Sequence, residues 1–141
     1  AGARKAGGYS IGISPAANKF EHMDTYRAPT EDMDFILYTG FGYPGRDLML
    51  VRSSEAVIFG CGRIGTIHEF TIAFEDNKPI GILEGPWATD EVIREIVAKG
   101  NRDASMIIYD NDPEKLVKRI KEMVLTQRAD NLRRASGWEQ S

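Results

Sequence analysis

The sequence predicts an α/β fold of the Rossmann-like type, a three-layer sandwich in which helices cover a mainly parallel sheet. Three observations lead to this prediction. Short apolar runs recur along the 141-residue chain, amphipathic helical patterns separate them, and a glycine-rich loop follows one of the runs. Hydrophobic residues make up 42% of the chain, which is enough for a core and excludes an intrinsically disordered protein.

The first third of the chain contains two short strand-like runs. Tyr9–Ser14 is the first, and Pro15 ends it; Asp34–Thr39 is the second. The polar segment between them, residues 16–34, has no sustained period and is expected to be a long loop. Glycine and proline residues from Gly40 to Gly45 predict a turn, and residues 46–53 a helix.

The remainder of the chain alternates between strand and helix at short spacing. Asp112 before Pro113 is typical of a helix start, because an acidic residue caps the helix and proline suits its first turn. Thr89, followed by two acidic residues, predicts another start. Strands are expected at residues 55–59, 79–83 and 105–109, with helices after Gly65, from Thr89 to Gly100 and from Pro113. Residues 1–127 are expected to form one domain, and 128–141, with Trp138, an arginine-rich tail that is a frayed helix or a partner contact.

The charge and the cysteine count exclude several classes of function. A formal net charge of -3 gives no electrostatic case for a nucleic-acid or anionic-membrane partner. No apolar run approaches the roughly 18 residues of a membrane span. Cys61 cannot form an internal disulfide, and His22 and His68 do not make a zinc set. We therefore expect a soluble cytoplasmic protein without a metal site, whose partner is a small molecule or another protein.

The glycine-rich loop, Gly60 to Gly65, is the strongest functional motif. It reads G-x-G-x-x-G after a buried strand, and Glu84 follows 19 residues after Gly65, as in a dinucleotide site. Thr66 and Glu69, however, lie three residues apart on the helix and can face the same ligand. A hydroxyl and a carboxylate beside a phosphate loop suit chemistry on a sugar phosphate. Glu84 binds ribose hydroxyls in either interpretation or simply ends its strand.

The stretch from Arg46 to Glu69 resembles the motif pair of the lysine-decarboxylase-like proteins of the SLOG superfamily, which include the LOG-type phosphoribohydrolases. Their signatures are an arginine at a helix start and P-G-G-x-G-T-x-x-E. The resemblance implies that Arg46 and Glu69 are catalytic. It also implies that a segment of five residues binds phosphate: Gly62, Arg63, Ile64, Gly65 and Thr66.

The implied reaction is hydrolysis of the N-glycosidic bond of a nucleoside 5′-monophosphate, without a metal or an organic cofactor, in a homodimer or a higher homo-oligomer. Three positions depart from the family motifs: Asp47, Cys61 and Arg63. They are similar to a divergent branch of the family. The alternative is therefore a non-catalytic binder or carrier of a nucleotide, a dinucleotide or a molybdenum cofactor. Three aromatic residues are expected either to stack on a base or to pack in the core: Phe41, Tyr43 and Trp87.

The start of the chain reads like the end of a helix, because the alanine-rich stretch from Ala1 closes with Gly7 and Gly8. The resemblance implies that two strands of the family precede this point, so we expect the chain to be N-terminally truncated. In a sheet of the family's order, the Tyr9–Ser14 strand would then lie at the edge without a neighbour. We therefore expect that the missing strands exist in the natural protein, or that the remaining strands rearrange or pair with another subunit.

Overall fold

The five strands and six helices that the structure describes alternate along the chain and confirm the α/β class. The structure is a computed structural model, and it describes residues 2–138. The helices α1 to α6 are Gly2–Lys5, Lys19–Asp24, Gly42–Ser53, Ile64–Glu75, Thr89–Lys99 and Pro113–Trp138. The strands β1 to β5 are Ile11–Ser14, Phe35–Tyr38, Val57–Phe59, Ile80–Leu83 and Ile107–Asp110. The chain divides into two compact units after Leu50, within α3.

The first unit contains a two-stranded parallel sheet. β1 pairs with β2 in a register that sets Ile11 beside Phe35 and Ser14 beside Tyr38. The absence of a neighbour, expected from the family's strand order, is therefore not observed. The next strand along the chain pairs with β1 instead, which agrees with the expected alternative that the remaining strands rearrange.

The segment predicted to be a long loop contains helix α2. The Asn18 side chain accepts the Glu21 N–H at 3.0 Å, and the Glu21 carboxylate accepts the Ala17 N–H at 2.8 Å. These reciprocal bonds satisfy donors that the start of a helix leaves open. A short helix of six residues therefore forms where the sequence shows no period.

The turn predicted before residue 46 is largely helical. α3 begins at Gly42, four residues before the expected start, and Gly42 has φ +63°. Pro44 is tolerated in the first turn because that turn needs no N–H from it. Arg46 consequently lies inside the helix, after its first turn.

The second unit has three layers around the parallel sheet β3-β4-β5. On one face, α4 and α5 bury Phe70 and Ile93 against Ile80 and Ile82. On the other face, α6 packs so closely that a Cβ at Gly81 would lie 3.1 Å from the Ile120 side chain. The strands are thus buried between two layers of helix, as their apolar sequences predict.

Helix α6 extends over most of the segment predicted to be a tail. It starts as expected: the Asp112 carboxylate accepts the N–H groups of Glu114 and Lys115 at 3.0 and 3.1 Å. It continues to Trp138, and residues 139–141 of the tail lie outside the described residues. Within residues 2–138, no helix is both long and apolar enough to span a bilayer.

Candidate functional site

The glycine-rich loop lies at the carboxyl end of β3, where ligands bind in parallel α/β sheets. A cavity of about 300 Å³ opens between this loop and the start of α5. Its lining comes from two loops and the helices that follow them: Cys61, Gly62, Arg63, Ile64, Ile67, Trp87, Ala88, Thr89 and Val92. The phosphate-binding segment predicted from the sequence thus forms one wall of a cavity, except for Gly65 and Thr66.

Gly62 is in close contact with Thr66. A Cβ added at Gly62 would lie within 2.7 Å of Thr66 Cγ2 and closer still to the Thr66 Cβ and Oγ1 atoms. Real Cβ atoms do not approach other atoms this closely, so the position requires glycine. The contact joins the loop to the first turn of α4.

Thr89 fixes the same glycine from the other side. The Gly62 N–H donates to Thr89 Oγ1, and the Thr89 hydroxyl donates to the Gly62 carbonyl, both at 3.0 Å. Thr89 is buried, and Ala88 rather than Thr89 is the N-cap of α5. The prediction that the helix starts at Thr89 is confirmed, but its hydroxyl forms hydrogen bonds with the loop and does not cap the helix. The Gly62 N–H is consequently bonded within the protein, so it is not the phosphate donor that the sequence predicts.

The amino end of α4 supplies the remaining donors. In any α-helix, the N–H groups of the first turn have no partner within the helix, and the dipole there is positive. Here that turn begins at Ile64, which is 83% exposed, and among residues 2–138 no atom outside the neighbouring helix backbone lies within 4 Å of a Cβ built at Gly65. Arg63, also exposed, adds a formal positive charge at the same point. The site is therefore open to an anion such as a phosphate.

Trp87 forms the wall opposite the glycine-rich loop. Its ring lies over Gly85, where an added Cβ would be 2.5 Å from Trp87 Cζ2. The indole Nε1 is buried, and within the described part of the chain it has no hydrogen-bond partner. The same holds for Asp90 Oδ1, three residues further on. An aromatic face with an unused donor beside an anion site suits a flat, polar ring.

Glu84 is committed to an ion pair. Its carboxylate pairs with Arg94, whose guanidinium carbon lies 3.9 Å from the centre of the Tyr109 ring. Burial raises the pKa of the Tyr109 phenol, and the Arg94 charge opposes this rise. The geometry supports the interpretation in which Glu84 only ends its strand, rather than the one in which it binds ribose hydroxyls.

The two predicted catalytic residues belong to different units, and their cooperation stays a prediction. Arg46 lines a cavity of about 240 Å³ in the first unit. Its Nε lies 3.1 Å from Asp47 Oδ1, and its guanidinium lies 5.9 Å from the centre of the Tyr43 ring. Glu69 is half-buried on α4, three residues after Thr66. Arg46 and Glu69 thus lie on the helices that follow β2 and β3, and their catalytic roles stay predictions.

Comparison with known proteins identifies the family. The chain is similar to the molybdenum cofactor binding protein of the phototrophic bacterium Rippkaea orientalis: identity is 30%, the TM-score is 0.68, and the match covers 87% of this chain and 67% of that one. A structural genomics target, TM1055, shares the fold at 24% identity with a TM-score of 0.67, over 86% of this chain and 68% of its own. No curated protein matches significantly. The SLOG cluster4 family matches residues 1–117, so the chain belongs to the SLOG cluster4 family.

Proposed function

We propose that this protein binds a phosphorylated nucleotide at the cavity between the glycine-rich loop and Trp87, and hydrolyses its N-glycosidic bond. The observation that carries the proposal is the open amino end of α4, beside a glycine that the protein holds in place on two sides. Membership of the SLOG cluster4 family supports a nucleotide-related ligand.

The phosphate would bind to the first-turn N–H groups from Ile64 to Thr66, with Arg63 adding its charge. Gly62 has no side chain and would let the phosphate approach the backbone closely; it would not donate to the phosphate, because its own N–H is bonded to Thr89. Trp87 would cover the flat base. Binding would cost little conformational entropy in the loop, since its hydrogen bonds are already formed before the ligand binds.

Glu69 would act on the sugar. In N-glycosidic hydrolysis, a carboxylate stabilises the oxocarbenium-like sugar and takes a proton from the attacking water. Glu69 lies on α4 three residues after Thr66, so the two side chains share one side of the helix and can face the same ligand. The family resemblance assigns Arg46, in the first unit, to holding the phosphate or to offsetting charge on the leaving base.

A carrier without turnover is the second candidate, and the likeness to a molybdenum cofactor binding protein favours it. That cofactor would be cargo rather than a resident group. The residues present fit its organic part: the amino end of α4 suits its phosphate, and the buried, unbonded Trp87 Nε1 beside the cavity suits a polar pterin ring. The Cys61 and Arg63 departures from the hydrolase motif agree with this candidate.

Release of free base from nucleoside monophosphates separates the two candidates. The full chain is incubated with AMP, GMP, IMP, CMP and UMP, and base is measured by chromatography. Turnover that Glu69→Gln abolishes supports hydrolysis. The matched control is Glu75→Gln, because Glu75 is exposed at the far end of the same helix.

Calorimetric titration with AMP, or with molybdopterin extracted from a molybdenum enzyme, then tests binding. Binding that Trp87→Ala weakens, without base release by the wild type, supports the carrier. If the folded protein neither releases a base nor binds any of these ligands, both candidates are rejected.

A further inference from the structure

A serine and a histidine face each other inside the first unit, in residues that the proposed nucleotide site does not use. Ser14 Oγ lies 2.8 Å from His22 Nδ1. Both side chains are buried, with 2% and 6% of their surface exposed. Both nevertheless line the cavity of about 240 Å³. The pair is therefore largely shielded from bulk water but lines a cavity.

The hydrogen bonds define which nitrogen of His22 carries the proton. His22 Nε2 lies 3.2 Å from the Pro29 carbonyl oxygen, which can only accept. Nε2 therefore bears the hydrogen of the neutral ring, and Nδ1 presents its lone pair to the Ser14 hydroxyl. This is the arrangement of a nucleophile, a general base and a third group that orients the base. A backbone carbonyl fills the third position.

The surroundings hold both side chains in this geometry. Ser14 ends β1, and its Oγ accepts the Ala16 N–H at 3.1 Å, which fixes the position of the hydroxyl. His22 packs edge-on against Tyr38, with 5.6 Å between the ring centres. Helix α2, which brings His22 to Ser14, is fixed by its capping bonds at Asn18 and Glu21.

We propose that Ser14 and His22 form a catalytic dyad that hydrolyses small uncharged carboxylic esters. Ser14 Oγ attacks the ester carbonyl carbon while its proton moves to His22 Nδ1. The carbon–oxygen bond to the alcohol breaks, and the leaving oxygen takes the proton from His22. Water, deprotonated by His22, then attacks the acyl group on Ser14 and releases the acid, which restores the serine.

The cavity defines the substrate class. Its walls are mainly apolar, including Ile13, Met33 and Ile36. Of the residues that line it, Arg46 alone carries a formal charge, and its Nε lies 3.1 Å from Oδ1 of the buried Asp47. A volume of about 240 Å³ equals that of about eight water molecules, which is enough for a short acyl chain.

Covalent labelling tests the dyad directly on the wild-type chain. The protein is treated with diisopropyl fluorophosphate, from which serine displaces fluoride, and the modified residue is located by peptide mass spectrometry. We expect one label, on Ser14. Hydrolysis of p-nitrophenyl acetate and butyrate should accompany it and should exceed that of the palmitate ester.

Substitutions provide the second measurement. Ser14→Ala should abolish labelling and hydrolysis, and His22→Gln should slow both by about 100-fold or more, as loss of a general base does. Ser10→Ala is the matched control, because Ser10 donates to Met33 Sδ rather than to a histidine, and it should leave both rates unchanged. A wild-type chain that is folded by circular dichroism but carries no label on Ser14 overturns the proposal, whatever the variants do. So does labelling at an undiminished rate in His22→Gln.

Discussion

Replacing Gly62 by alanine should destabilise the second unit. The new Cβ would lie within 2.7 Å of Thr66 Cγ2 and nearer still to the Thr66 Cβ, which cannot rotate away because it is bonded to the helix backbone. Either the first turn of α4 or the loop must shift, and a shift of the loop strains both hydrogen bonds to Thr89. Overpacking of this kind costs about 1–3 kcal/mol.

Gly65→Ala is the matched control, and its effect should have the opposite sign. Gly65 lies in the first turn of α4, and apart from the neighbouring helix backbone, none of the residues described places an atom within 4 Å of the added Cβ. Alanine there restricts the unfolded chain and favours helix, which stabilises by about 0.5–1 kcal/mol. Two glycines three residues apart are therefore expected to differ by about 1.5–4 kcal/mol in the free energy of unfolding.

Urea denaturation followed by circular dichroism and by tryptophan fluorescence measures both variants against the wild type. An increase in midpoint for Gly65→Ala and a decrease for Gly62→Ala would support the close contact between Gly62 and Thr66. Equal stability of Gly62→Ala and the wild type would refute it. Equal losses in both variants would also contradict it, because neither Gly62 nor Gly65 has a positive φ that would itself require glycine.

Three further predictions concern stability. Thr89→Val keeps the shape but leaves the Gly62 N–H and carbonyl without their partner, so unfolding should become easier by about 1–3 kcal/mol, measured in urea. Asp112→Ala removes the cap of α6 and should cost about 0.5–2 kcal/mol in the same assay. Hydrogen bonds from arginine hold the pKa values of Glu55 and Asp76 below their ordinary values of 4.5 and 3.8. Their contribution to stability is therefore present above those values and is lost as the pH falls through the lower folded-state pKa, so urea midpoints should drop on acidification from pH 5 to pH 2.5.

Each of these predictions has a control. Thr126→Val removes an exposed hydroxyl bonded within α6, and its cost should be smaller than that of Thr89→Val. Asp130→Ala breaks an exposed pair within the same helix and should change stability little. Glu55→Gln should flatten the loss of stability in acid; an unchanged pH profile in that variant would contradict the assignment of Glu55.

The strands and the longer helices could be predicted from the sequence because their signals are local. Apolar runs predict β3, β4 and β5, and the cap at Asp112 with Pro113 predicts the first residue of α6. Helix α2 could not be predicted from periodicity, since six residues do not complete two full turns. Its signal was the spacing of Asn18 and Glu21, which is that of a capping pair. In α3, the glycines and Pro44 indicated a turn, whereas proline is equally suited to the start of a helix.

The candidate site could be predicted in part for the same reason. The juxtaposition of Gly62 and Thr66 is a contact within one loop and helix start, and it follows from the motif. The bond from Thr89 to Gly62 joins residues 27 positions apart, and no local pattern indicates it. The proximity of Ser14 and His22 depends on α2, so it could not be predicted from a sequence analysis that expects a loop at residues 16–34. The pairing of Arg46 with Glu69 rests on the family resemblance.

The two hydrogen bonds between Thr89 and Gly62 make the amide proton of Gly62 a reporter on both the glycine-rich loop and α5. The Gly62 hydrogen is covered by a hydroxyl from the start of α5, so it can exchange with solvent only when the loop and that helix separate. Its exchange rate in deuterated water should follow this local opening and not the global unfolding of the sheet. A ligand held between the loop and Trp87 would slow the exchange of this proton even where the ligand does not touch it.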